Sequence, residues 1–117
     1  MKVLICDDSM TIRKKLSKSI KSIDDNIKIF EASDGQQGID MFKEKQVDLV
    51  FLDIIMPEKN GLEVIKEIKN YDSKAEIVVL SSVGTEKNLK AALKNGAKDF
   101  IQKPWSEKNI ETILKGV

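Results

Sequence analysis

Three aspartates, a serine and a lysine stand out in this 117-residue chain as groups whose types and surroundings suit one chemistry. Asp7 and Asp8 follow the apolar run "KVLIC", Asp53 closes "LVFL" and precedes "IIMP", Ser81 follows "IVVL", and Lys103 stands before Pro104. A lone carboxylate among apolar neighbours is costly to bury without a cation or hydrogen-bond donors. Asp53 is therefore expected either to lie in a turn just past a strand or to meet something positive. Three carboxylates in one crevice repel one another unless a cation neutralises them. The chain has no histidine and one cysteine, and an all-oxygen ligand set selects a hard ion. Mg2+ takes one or two carboxylates and keeps places for water and phosphate oxygens. An ammonium and a hydroxyl nearby can hold the other oxygens of a phosphoryl group, and an aspartate can attack phosphorus to form an acyl phosphate. Phosphoryl transfer depends mainly on positioning and charge neutralisation. On this reading Asp53 is the nucleophile and faces Mg2+.

Each of these residues also has a plainer role. Asp7 and Asp8 could cap a helix, Asp53 could start the "PEKNG" turn, Ser81 could cap the next segment, and Lys103 could be a surface lysine. What favours the chemical reading is where the elements put them. Short branched apolar runs predict strands over 2–6, 27–32, 47–52, 76–81 and 99–103. Between them, apolar residues recur three or four apart: Ile12, Leu16 and Ile20; Ile39 and Phe42; Leu62, Ile65 and Ile68; Leu89, Ala92 and Leu93; Ile110, Ile113 and Leu114. Ser9, Asp34 and Ser106 can cap helix N-termini, and "KNG" at 94–96 ends the fourth helix. Five strands alternating with five helices predict an α/β fold, a parallel sheet covered on both faces with right-handed crossovers. Ligands in such sheets collect at the carboxyl ends of the strands, near the point where strand order reverses. All five residues fall at that edge.

The bulk properties exclude several classes. Twenty basic residues against nineteen acidic leave a net charge of +1, so no overall field favours nucleic acid or an anionic membrane. Cys6 has no partner for an internal disulfide and reads as a small buried apolar residue. No apolar stretch approaches the roughly 18 residues of a membrane helix, and the apolar run before "DD" is too short for a signal peptide. The expected compartment is the cytoplasm, and 1–117 reads as one domain.

The combination of "CDDS" at 6–9, "FLDIIMPEKNG" at 51–61, "VVLSS" at 78–82 and "GAKDFIQKPW" at 96–105 resembles the response-regulator receiver domain over essentially the whole chain, most of all its stand-alone chemotaxis type. The resemblance implies a flavodoxin-like (βα)5 three-layer sandwich with strand order 2-1-3-4-5. It implies Asp53 as phosphoacceptor from a sensor histidine kinase, with Mg2+ held directly by Asp8 and Asp53, largely through water by Asp7, and by the backbone carbonyl of Ile55. Ser81, 22 residues before Lys103 as the family pattern requires, would hydrogen-bond the phosphoryl group, and Lys103 would pair with another of its oxygens. Phe100 takes the switch position where a tyrosine often sits, and the Lys103–Pro104 bond is expected to be cis. Phosphorylation would alter the face formed by the fourth helix, fifth strand and fifth helix, which would bind an output or motor protein. The resemblance also implies that Ile55 and Val83 flank the approach of hydrolytic water. Both are apolar and β-branched, so dephosphorylation is expected to be slow and a separate phosphatase useful.

Trp105, where phenylalanine is more usual, is expected to pack in the core, as are Leu89 and Leu93. Two other classes compete. An aspartate-dependent phosphohydrolase of the haloacid dehalogenase type needs a second aspartate two residues after the nucleophile, and Ile55 stands there. A pseudo-receiver serving only for interaction does not need the intact acidic set. A signalling protein rather than an enzyme is the expectation. Chemotaxis, a phosphorelay intermediate and a receiver excised from a larger regulator all fit the residues.

Overall fold

The computed structural model describes residues 1–56, 59–82 and 84–117. Val83, one of the two residues expected to flank the water approach, lies outside them, as do Pro57 and Glu58 of the "PEKNG" segment. Strands and helices alternate along the chain: β1 (Lys2–Cys6), α1 (Met10–Ile23), β2 (Lys28–Ala32), α2 (Gly35–Lys45), β3 (Leu49–Asp53), α3 (Gly61–Tyr71), β4 (Ile77–Ser81), α4 (Glu86–Lys94), β5 (Asp99–Gln102) and α5 (Glu107–Lys115). The five strands pair in parallel in the order β2-β1-β3-β4-β5, as expected. Among the described residues no helix is long and apolar enough to cross a membrane.

Every residue of β3 and β4 is buried, because helices cover both sheet faces and successive side chains enter opposite cores. Leu4, Val50, Leu52, Ile77 and Val79 pack with Ile39 and Phe42 of α2, Val64, Ile65 and Ile68 of α3 and Ala92 of α4. Val3, Ile5, Leu49, Phe51, Val78 and Leu80 pack with Leu16 and Ile20 of α1 and Ile110 and Leu114 of α5. This is the three-layer arrangement. Asp53 continues the Leu49–Phe51 alternation, so its side chain falls on the α1–α5 side of the sheet, the side on which Lys103 arrives.

Capping follows the sequence. Ser9 accepts the Ile12 N–H, Asp34 the Gln37 N–H, and Ser106 and Asn109 form a reciprocal capping box. Asn60, read only as part of a turn, caps α3 by accepting the Glu63 N–H at 3.1 Å. Leu89 packs against the core, but Leu93 is 38% exposed. That corrects the expectation for Leu93: α4 is short and buries only Ala92 fully, so a residue one position along the helix turns outward. Phe100 is 42% exposed on the edge strand β5, and the Lys103–Pro104 bond is cis.

Candidate functional site

The reversal of strand order lies between β1 and β3, and there the strand ends that carry carboxylates meet. Asp7 and Asp8 follow β1, and Asp53 is itself the last residue of β3, in register with Leu80 of β4. The turn expected at Asp53 begins one residue later. Gly61 lets the chain fold back there: a Cβ on it would lie 2.7 Å from the Ile54 Cα and 2.8 Å from the Asp53 carbonyl oxygen. Its N–H donates to the Ile54 carbonyl at 3.1 Å.

Carboxylate oxygens of Asp7, Asp8 and Asp53 lie within 4.8 Å of one another. Asp7 is fully buried and Asp8 exposed. Asp7 Oδ1 accepts the Ser9 N–H at 2.9 Å, and Asp7 Oδ2 accepts from Lys103 Nζ, also at 2.9 Å. Lys103 Nζ stands 3.6 Å from Asp53 Oδ2, and the Ile55 N–H donates to Asp53 Oδ1 at 3.3 Å. Lys103 is thus the positive group that the buried end of β3 required, and it is shared by two carboxylates. Burial first, then the neighbouring charge of Asp7, pushes the Asp53 carboxyl from 3.8 up to about 6, against the lowering effects of Lys103 and the Ile55 N–H. One ammonium among three carboxylates leaves an excess of negative charge, and the donors are all oxygen. That composition suits a small hard divalent cation such as Mg2+, with Asp7, Asp8 and Asp53 as the side chains able to hold it.

Ser81 ends β4, in register with Gln102, and its carbonyl accepts the Lys103 N–H at 2.7 Å. Among the described residues its buried hydroxyl reaches the Ile101 carbonyl, at 3.5 Å, a long contact that a stronger acceptor could replace. Ile55 is half exposed beside the carboxylates. Trp105 packs against the α1–α5 core, as expected, and its Nε1 donates to Ser19 Oγ at 3.3 Å. Cys6 is buried beneath the site, and burial pushes its thiol up to about 12, so it is held as an inert packing group.

Two contacts were not legible in the sequence. One is the ion pair of Lys103 with Asp7. The other is Arg13, whose guanidinium donates to the Asp7 carbonyl at 2.8 Å and to Glu31 Oε1 at 3.1 Å. The Ser9 N–H on Asp7 could have been anticipated, because aspartate commonly accepts from the backbone two residues on.

The response regulator receiver domain family matches residues 3–115. The chemotaxis protein CheY of Thermotoga maritima is 38% identical over 99% of this chain and 96% of its own length. The probable transcriptional regulator ycf27 of Guillardia theta is 36% identical over 99% of this chain but only 44% of its own length. Among solved structures, a chain in the crystal structure of the CheX–CheY–BeF3–Mg2+ complex from Borrelia burgdorferi superposes with a TM-score of 0.89, at 31% identity over 99% of this chain and 87% of that one. The chain is thus matched in sequence as well as in shape, and it belongs to the response regulator receiver domain family, as a CheY-like receiver of two-component signalling.

Proposed function

We propose that residues 1–117 form a single cytoplasmic receiver in which Asp53 accepts a phosphoryl group from the phosphohistidine of a sensor histidine kinase. The observation that carries this reading is the convergence of Asp53, Asp7, Asp8 and Lys103 at one sheet edge. An Asp53 carboxylate oxygen attacks phosphorus while the phosphorus–nitrogen bond of the donor breaks and the imidazole leaves with its electron pair. Mg2+, when bound, would supply charge neutralisation at the phosphoryl oxygens, and Asp8, Asp53 and the Ile55 carbonyl would hold it, with Asp7 acting through water. Lys103 moves from Asp7 toward one phosphoryl oxygen, and the Ser81 hydroxyl takes another. Because Lys103 follows directly on β5, this movement reaches Phe100 and the surface of α4, β5 and α5, where an output protein binds.

The likeness to CheY proteins supports chemotaxis or motility control as the pathway, with a phosphatase ending the signal. A role as the receiver of a larger regulator is supported by the likeness to less than half of ycf27. Turnover of phosphate esters is not expected, because Ile55 stands where a hydrolase of this chemistry needs an acid. The test is labelling with acetyl phosphate, read by intact mass. Wild type should gain one phosphoryl group in the presence of Mg2+ and none in EDTA, and Asp53→Asn none in either. Labelling of Asp53→Asn to the wild-type extent would overturn the assignment.

A further inference from the structure

The three carboxylates are not held alike. Asp7 is fixed by the Ser9 N–H and Lys103, and Asp53 by the Ile55 N–H with Lys103 nearby. Among the described residues no hydrogen bond or ion pair holds the exposed Asp8 carboxylate. Where Asp8 points is therefore set by its own backbone, above all by the peptide that joins it to Asp7. That peptide's carbonyl is the Asp7 carbonyl, and its partner is Arg13 at 2.8 Å. The guanidinium is anchored in turn: its Nε donates to Glu31 Oε1 at 3.1 Å, its side chain is only 14% exposed, and the Lys14 ammonium lies 2.9 Å from the other Glu31 oxygen. The Asp7 N–H donates to the Ala32 carbonyl at 3.1 Å. Both peptide groups of Asp7 are thus tied toward β2, one directly and one through Arg13 and Glu31.

We infer that Arg13 is a positioning residue for the cation site, holding the Asp7–Asp8 peptide so that the otherwise unsupported Asp8 carboxylate faces Asp53. The inference rests on the Mg2+ reading of the acidic cluster. It also predicts a sign that charge alone does not. A guanidinium near a cation site repels the cation, so removing it should tighten binding if Arg13 only contributes charge. If Arg13 orients the peptide, removing it should weaken binding, and loss of a group that orients metal ligands weakens metal affinity by about 10- to 100-fold. Lysine keeps the charge but lacks the planar fork that reaches the Asp7 carbonyl and Glu31 together.

The experiment is calorimetric titration of Mg2+ into the full chain, for wild type, Arg13→Met and Arg13→Lys, with metal-free melting followed by circular dichroism. Both variants should bind Mg2+ at least about tenfold more weakly than wild type, and acetyl phosphate labelling should recover toward the wild-type rate at high Mg2+. Wild-type affinity in Arg13→Lys, or equal or tighter binding by Arg13→Met, overturns the inference. So does lowered melting with unchanged affinity, which marks a purely structural role. If Arg13→Met fails to fold, Arg13→Lys decides alone. Absence of Mg2+ binding by wild type would instead overturn the reading of the cluster itself.

Discussion

The Lys103 ammonium lies 2.9 Å from the fully buried Asp7 carboxylate, although 96 positions separate the two residues in the chain. The pair joins the first strand end to the last across the middle of the sheet. Removing one partner of a buried ion pair leaves an uncompensated charge, at a cost of about 3–5 kcal/mol. Lys103→Met should therefore be strongly destabilised in EDTA, and Mg2+ should restore part of the loss by taking over the neutralisation. Urea unfolding with and without metal measures both. Equal midpoints for wild type and variant in EDTA would show that the pair contributes nothing.

Mg2+ should stabilise the wild-type fold. A ligand that binds only the native state adds about 2.7 kcal/mol at 100 times its dissociation constant. Asp8→Ala should lose most of that gain. Without metal the same variant should be neutral or slightly more stable, because one of three crowded carboxylates is gone. A melting temperature indifferent to Mg2+ in the wild type would count against the site.

The metal-free protein should also lose stability as pH rises through the carboxylate range at this one residue. Asp53 is raised to about 6 by burial and by Asp7, above its unfolded value, so between those two values the folded state binds the extra proton. Its contribution is fully present below about pH 3.8 and is lost as pH climbs through about 6. The loss is on the order of 3 kcal/mol for a shift of this size. The difference in unfolding free energy between wild type and Asp53→Asn in EDTA, measured from pH 4 to 7.5, isolates it. With Mg2+ the trend should reverse, because the cation favours the ionised carboxylate. A flat difference in EDTA would refute the assignment of that proton to Asp53.

Phosphorylated Asp53 should decay slowly. Ile55 is half exposed beside it and offers an attacking water no hydrogen bond. Ile55→Asn should hasten decay several-fold, read from purified phosphoprotein in Mg2+ buffer. Decay of the wild type within seconds, or no change in the variant, would argue against control by this side chain.

The strands, the order of the layers and the helix caps at Ser9, Asp34 and Ser106 were legible because each depends on neighbours within a turn or on a period of two or 3.6. The starts of β2, β3 and β4 were read one or two residues early, while those of β1 and β5 match. Val47 extends the apolar pattern across Asp48, but the Asp48 side chain accepts the Lys2 N–H at 2.7 Å, and the strand begins at Leu49. Asn60 was hidden by a turn-like context that also suits a cap. Leu93 shares the spacing of core residues, and only the short α4 and its packing decide that it faces outward. The four charged residues of the acidic site were legible as strand-end residues. Their pairing was not, because nothing local to Lys103 or Arg13 says which of several carboxylates or carbonyls each will reach once the layers are stacked.

Trp105 is the only tryptophan of the chain. It stands two residues after Lys103, wedged against α1 with its indole on the Ser19 hydroxyl. Nearly all the near-ultraviolet emission of the protein therefore comes from one ring mounted beside the lysine that leans over Asp53. A displacement of Lys103 that drags the end of β5 would change the surroundings of that ring, so its emission should report on the acidic centre in real time without a label.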